Sequence, residues 1–259
     1  MKTKNSALVN FATLQGLRMN QEDRYVAGVI QGKGRSGHLL AVMDGHGGSY
    51  VADFCANNLA RFFQLGDPNN PRKALEGLIS RLNETTHMFR EGSTISVAYV
   101  LEERNEVWAA VLGDSPIVVI DKIGKVYIGP NHNVRTNMAE RSAAEKRGGR
   151  YDGKYIRNSD GTGLQLTRAL GDSQMAGIVS REPEIFAVND PVWVAVASDG
   201  MLDPAHRDKG SSLNEFVSFG KASAGAEELM SWANGIGMPP GLLVAIIAPQ
   251  ISSPCRRAA

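Results

Sequence analysis

Apolar positions along the chain fall into two kinds of run. Short β-branched stretches follow one another in the middle: STISVAYVLE (93–102), EVWAAVLGD (106–114), PIVVID (116–121) and KVYIG (125–129). They are separated by ERN, by Asp114-Ser115 and by DKIG, a spacing that predicts a meander of antiparallel strands. HLLAVMD (38–44), PVWVAVASD (191–199) and LLVAIIAP (242–249) predict further strands, each apolar enough to be covered on both faces. Longer stretches carry the helical period: YVADFCANNLARFF (50–63), PRKALEGLISRLNETTHMFR (71–90), NMAERSAAEKRGG (137–149) and AGAEELMSWAN (224–234). The third ends on Gly148-Gly149, a helix stop. Strands in the middle with helices around them predict antiparallel sheet packed under helices, in a layered α/β or α+β domain. No repeat or Pro/Gly/Ser linker divides the chain, so a single domain over residues 1–250 is expected, with 251–259 as a loose tail.

Composition sharpens the class. Among 259 residues, 42% are hydrophobic and 21% charged, the balance of a soluble globular protein. Lys and Arg number 28 against 27 Asp and Glu, so the basic excess of a dedicated nucleic-acid binder is missing. Cys55 and Cys255 are too few for a disulfide framework and suit a reducing compartment. No apolar run is long enough to span a bilayer, which leaves an intracellular protein with no membrane partner as the expectation.

Candidate chemistry lies where apolar runs stop. AVMD ends at Asp44, AAVLGD at Asp114 and VAVASD at Asp199, each acid next to a glycine. If these strands are neighbours, their carboxylates converge at one sheet edge, where mutual repulsion favours a bound cation or a retained proton. Oxygen donors of this kind select hard cations such as Mg²⁺ or Mn²⁺. The plainer reading is a turn, because Asp-Gly is an ordinary turn dipeptide after a strand. The acidic pair Glu22-Asp23 downstream of Arg18 shifts the balance toward a metal site. Gly32-Lys33-Gly34-Arg35-Ser36-Gly37 spells a dinucleotide fingerprint by letters, but it leads into a strand and reads as a hairpin turn. No phosphate-binding P-loop, zinc-like Cys/His spacing or nucleophile elbow occurs.

Read in order, these segments resemble the metal-dependent protein phosphatases of the type 2C class, the PPM family. The resemblance runs through QGLRMNQEDRY (15–25), Asp-Gly-His-Gly-Gly at 44–48, GSTISVAYV (92–100) and LGDSP (112–116). It continues through Asn131-His132 with Glu140-Arg141 and Gly148-Gly149, then LTRALGD (166–172), REPEI (181–185) and ASDGMLD (197–203). It implies an α+β fold, a four-layer α-β-β-α sandwich of two antiparallel sheets flanked by helices with a metal centre at one end. It implies hydrolysis of phosphoserine and phosphothreonine in phosphoprotein substrates by metal-activated water. Carried over, Asp44 bridges two Mg²⁺ or Mn²⁺ ions and the Gly45 carbonyl binds one. Asp199 holds the other, Glu22 and Asp23 act through bound water, and Asp114 with Asp199 matches a third, weaker metal. Arg18 grips the phosphate, for which its fork of donors is well shaped, and His46 supplies the proton to the leaving oxygen.

Two positions depart from the family pattern. Pro116 replaces an Arg beside Asp114, and Pro240-Gly241 stand where the family places an Asp-Asn pair whose Asp ligates a metal. The last acidic residue of the chain is Glu228, so no shift of register restores that carboxylate. The missing ligand keeps a second reading open: a pseudophosphatase, a binding or regulatory module with a weakened metal site. The stretch between Gly171 and Pro183 is short, so any flap over the site is expected to be small. The Asp-Gly-His-Gly-Gly spelling is closer to eukaryotic members, which points to cytoplasm or nucleus, and a monomer is the default expectation.

Overall fold

The computed structural model describes residues 8–14, 19–32, 35–201, 214–218, 221 and 242–248. The chain begins with β1 (Leu8–Leu14), β2 (Arg24–Gly32), β3 (Arg35–Met43) and the short β4 (Gly45–His46). Helices α1 (Tyr50–Gln64) and α2 (Pro71–Thr86) follow, then β5 (Gly92–Ser93), β6 (Ile95–Leu101), β7 (Glu106–Leu112), β8 (Ile117–Asp121) and β9 (Val126–Ile128). Next come α3 (Met138–Lys146) and four short strands, β10 (Arg150–Tyr151), β11 (Ile156–Arg157), β12 (Gly163–Leu164) and β13 (Leu170–Gly171). Strands β14 (Glu184–Asn189), β15 (Pro191–Ala197) and β16 (Leu242–Ala248) complete the described elements.

Two five-stranded antiparallel sheets form the body. One runs β1-β16-β15-β8-β9, the other β14-β7-β6-β3-β2. Between them lies a core that includes Leu40, Val42, Ala98, Val111, Val119 and Val194. The opposite face of the second sheet presents Leu39, Ala41 and Met43 to Leu59 and Phe63 of α1 and to Leu75, Leu78 and Leu82 of α2. Strand β3 therefore buries both faces, as its unbroken apolar run requires. On the outer face of the first sheet, Trp193 meets Phe216 of the helical segment 214–218, edge to face at 5.6 Å. Helix, sheet, sheet, helix is the expected α+β sandwich. Among the described residues, no helix is long and apolar enough to cross a membrane.

The central strands correct the predicted meander. β6 pairs with β7 and β8 pairs with β9, but β7 and β8 belong to different sheets. The chain crosses the sandwich at Gly113–Pro116, where Gly113 takes a left-handed φ of 124° and Pro116 has no N–H to extend a ladder. Helix α2 is also shorter than expected. It stops at Thr86, and the segment beyond it turns so that Phe89 packs on Tyr50 with ring centroids 4.6 Å apart. The Gly32–Gly37 stretch does join paired strands, with Gly32 opposite Arg35, in keeping with the hairpin reading. The predicted helix at 224–234 and the tail 251–259 lie outside the described residues.

Candidate metal centre

Strand β3 delivers Asp44 at its end, and a belt of hydroxyls holds it there. The Thr94 hydroxyl accepts from the Asp44 N–H at 3.0 Å, and the Thr94 N–H returns a bond to the Asp44 carbonyl at 2.9 Å. Thr94 Oγ1 also pairs with Ser115 Oγ at 2.7 Å, and Ser96 Oγ donates to the Ser115 carbonyl at 2.6 Å. The Asp44 and Asp114 turns are thus tied together at the point where the ladders of β3 and β7 stop. On the next residue, Gly45, a Cβ would lie 2.6 Å from the Glu22 carbonyl oxygen. Only glycine lets the 22–23 segment pack this closely.

Four acids meet here. Asp44 has its carboxyl pushed well above the usual range, first by burial and then by the charges of Asp199, Asp23 and Asp114. Its carboxyl also shares a hydrogen bond with Asp199. Asp23 and Asp114 are buried, Asp199 partly so. They arrive from four places: ahead of β2, after β3, at the crossing from β7 to β8, and after β15. Packed carboxylates that force protons onto one another are relieved by a divalent cation, and an all-oxygen donor set matches Mg²⁺ or Mn²⁺. The residues present fit such ions. Glu22 is half-buried beside Gly45. Arg18 and Pro240-Gly241 lie outside the described residues.

His46 sits one residue beyond Gly45, on a two-residue strand paired with β5. Its Nε2 lies 2.8 Å from Oδ2 of Asp172, a carboxylate that is almost wholly buried. Gly92 lies directly under this pair, where a Cβ would collide with both side chains. Asp172 stands at φ 49°, a left-handed position that Asp tolerates better than most residues. The Arg181 guanidinium braces its turn by donating to the Ala169 and Gly171 carbonyls. Sequence reasoning assigned no role to Asp172. The signal available was its place at the end of LTRALGD, where the segment resembles the family.

A second acidic group, His132 with Glu140 and Glu184, is compact enough to suggest another metal. Its hydrogen bonds argue against one. His132 Nδ1 accepts from the Gly113 N–H at 3.0 Å, so the proton of the neutral ring sits on Nε2, facing Glu184 at 3.4 Å. Burial holds this imidazole below its ordinary pKa and so neutral, with the Arg168 charge adding to the effect. The cationic place is already filled. Arg168 reaches Glu140 at 2.6 and 3.0 Å and Glu184 at 2.9 Å.

A family model described as protein phosphatase 2C matches residues 7–210. The chain belongs to the protein phosphatase 2C family. Protein phosphatase 2C homolog 1 of Schizosaccharomyces pombe is 25% identical over 207 residues, covering 73% of this chain and 58% of that protein. The protein phosphatase fem-2 of Caenorhabditis elegans is 30% identical over 208 residues, 73% of this chain and 46% of its own. The chain thus spans about half the length of these two phosphatase 2C relatives. Among solved structures, that of a C. elegans sex determining protein aligns with a TM-score of 0.73 at 26% identity, covering 94% of this chain and 65% of the other. Serine-threonine phosphatase 2C from Toxoplasma gondii shares the fold, with a TM-score of 0.73 at 15% identity over 95% and 96% of the two chains. Metal binding is typical of the phosphatase 2C family.

Proposed function

We propose that this chain is a Mg²⁺- or Mn²⁺-dependent protein phosphatase acting on phosphoserine and phosphothreonine in phosphoproteins. The observation that carries this reading is the meeting of Asp23, Asp44, Asp114 and Asp199 at one end of the sandwich, with His46 alongside. Asp44 and the Gly45 carbonyl would hold two ions, with Asp199 on one of them, Glu22 and Asp23 acting through water, and Asp114 with Asp199 at a third, weaker site. When bound, such a cation pair supplies Lewis-acid polarisation of the phosphoryl group and an activated water. His46 donates a proton to the departing serine or threonine oxygen, a poor leaving group without one. Asp172 fixes the ring by accepting at Nε2, which leaves Nδ1 for proton exchange. Arg18 grips the phosphate through its paired N–H donors. The cysteine content suits work in the cytoplasm or nucleus.

One sequence feature favours the alternative, a pseudophosphatase serving as a binding or regulatory module. Pro240-Gly241 replace the Asp-Asn pair of the family, and a hard-cation site short of one carboxylate holds its ion less tightly. The deciding experiment is Mn²⁺-dependent hydrolysis of a phosphothreonine peptide, set beside an Asp44→Asn variant. The enzyme reading expects a rate well above the variant's. Equal rates would sink the enzyme reading.

A further inference from the structure

Asp114 is gripped by a loop for which the proposed chemistry has no role so far. Asn133 is buried, and its Nδ2 donates to Asp114 Oδ2 at 2.8 Å. An independent bond fixes which way the amide points. The Arg135 N–H donates to Asn133 Oδ1 at 3.0 Å, so the oxygen faces the backbone and the NH₂ group faces the carboxylate. The loop itself is tightly built. The Asn133 N–H donates to Asn131 Oδ1 at 2.8 Å, and the Val134 N–H donates to the Gln165 carbonyl at 2.7 Å. Next to Asn133, His132 exchanges two bonds with the residue before Asp114: its N–H donates to the Gly113 carbonyl at 3.0 Å, and its Nδ1 accepts from the Gly113 N–H.

The turn carrying Asp114 is therefore clamped from two sides. From the strand side Thr94 holds the Ser115 hydroxyl and Ser96 the Ser115 carbonyl, while His132 and Asn133 hold the Gly113 backbone and the Asp114 carboxylate from the loop side. A carboxylate set among others of like charge gains by swinging toward water, and a buried N–H donor opposes that swing with a charge-assisted hydrogen bond. Groups that hydrogen-bond a metal-binding carboxylate from behind set its orientation and, through it, the affinity of the site. We propose that Asn133 is a positioning residue that holds the Asp114 carboxylate in the orientation from which it binds a divalent cation. The proposal rests on the reading of Asp114 as a ligand of the weaker metal.

Titration of Mn²⁺ into the metal-free chain, followed calorimetrically, tests both layers. Three variants are compared with the original: Asp114→Asn, Asn133→Ser and Asn133→Thr. Serine and threonine keep a hydroxyl that can accept from the Arg135 N–H, but both are too short to reach Asp114. Asp114→Asn is expected to remove one binding step. Both Asn133 variants are expected to weaken that same step about ten-fold or more and to leave the tighter steps unchanged. Melting temperatures of the metal-free variants need not agree with each other, whereas the affinity loss must. If the Asn133 variants bind like the original while Asp114→Asn loses the step, Asp114 is a ligand and the role of Asn133 is refuted. If Asp114→Asn binds every equivalent unchanged, the ligand reading is overturned and the positioning role falls with it.

Discussion

Replacing Glu140 with glutamine tests the electrostatic frame behind the Asp114 loop. Glu140 is buried in the first turn of α3, and its Oε2 accepts from Thr167 Oγ1 at 2.7 Å and Arg168 Nε at 3.0 Å. Its Oε1 accepts from Arg168 Nη2 at 2.6 Å. Burial alone would raise this carboxyl; the bonds from Arg168 and Thr167, and the Arg168 charge, outweigh it and hold the pKa down to about 2 from 4.5. A depression of that size corresponds to at most about 3 kcal/mol of folded-state stabilisation, reduced by solvent screening at the partly exposed Arg168. The sign follows from the direction. The native carboxyl is the stronger acid, so its contribution is complete above the unfolded value of 4.5 and disappears as pH falls from there toward about 2. The amide introduced by Glu140→Gln keeps the shape but has one acceptor oxygen where two are needed, leaving an Arg168 or Thr167 donor unsatisfied. Urea unfolding of both proteins in chelator should give a difference of about 1–3 kcal/mol near neutral pH, shrinking steadily below about pH 4.5. Taking the difference between the two proteins cancels the titration of the aspartate cluster. A gap that stays constant down to about pH 3, or widens, would refute the reasoning.

Asp172→Asn should slow hydrolysis of a phosphothreonine peptide about ten-fold or more while sparing an aryl phosphate, whose leaving group needs no proton; equal losses on both substrates would deny it a role through His46. Asp44→Asn should raise the melting temperature of the metal-free chain near neutral pH, because the raised Asp44 pKa means that deprotonating the native cluster costs stability as pH rises. A lower melting temperature would show that the acids do not repel one another as argued. Arg18→Ala should raise KM for the phosphopeptide more than it lowers kcat, and an unchanged KM would count against phosphate gripping. Pro240→Asp with Gly241→Asn should tighten Mn²⁺ binding in calorimetry and raise the rate; no gain in either would dismiss the missing ligand as the limitation.

The apolar runs carried much of the fold because β3, β6 and β15 are buried on both faces and therefore spell continuous hydrophobic stretches. The edge strands were harder to read. In β2, RYVAGVIQG, one flank meets solvent and Val29 is 56% exposed, so the pattern is diluted by glycine and polar residues. The sheet exchange between β7 and β8 was illegible for another reason: a crossing at Gly113–Pro116 and a hairpin turn use the same residue types, and only the partner strands distinguish them. At the site, aspartates that end apolar strands stood out locally. Asp172 and Asn133 did not, because each acts through a side chain far away in sequence, at His46 and Asp114. A local pattern holds no trace of such a pairing.

The belt of hydroxyls explains how the acid cluster is tolerated. Asp44 sits in the break between β3 and β4 and Asp114 beyond the end of β7, where the ladders are interrupted, and mutual repulsion works to drive the two turns apart. Thr94 and Ser115 bind them together with side-chain bonds that join the ends of β3 and β7 to the start of β8. Beneath them, the closely packed core between the sheets resists any spreading of the sandwich. Repulsion that cannot be relieved by movement must be relieved by protonation or by a cation, and the Asp44 carboxyl, held well above its ordinary pKa, shows the first of these. The turns that carry Asp44 and Asp114 are fixed by contacts that need no metal. If the acid expected at position 240 is the ligand the proposed function assumes, a chain without it would hold a preorganised but undercharged site, one whose geometry would favour divalent ions more strongly than its charge does.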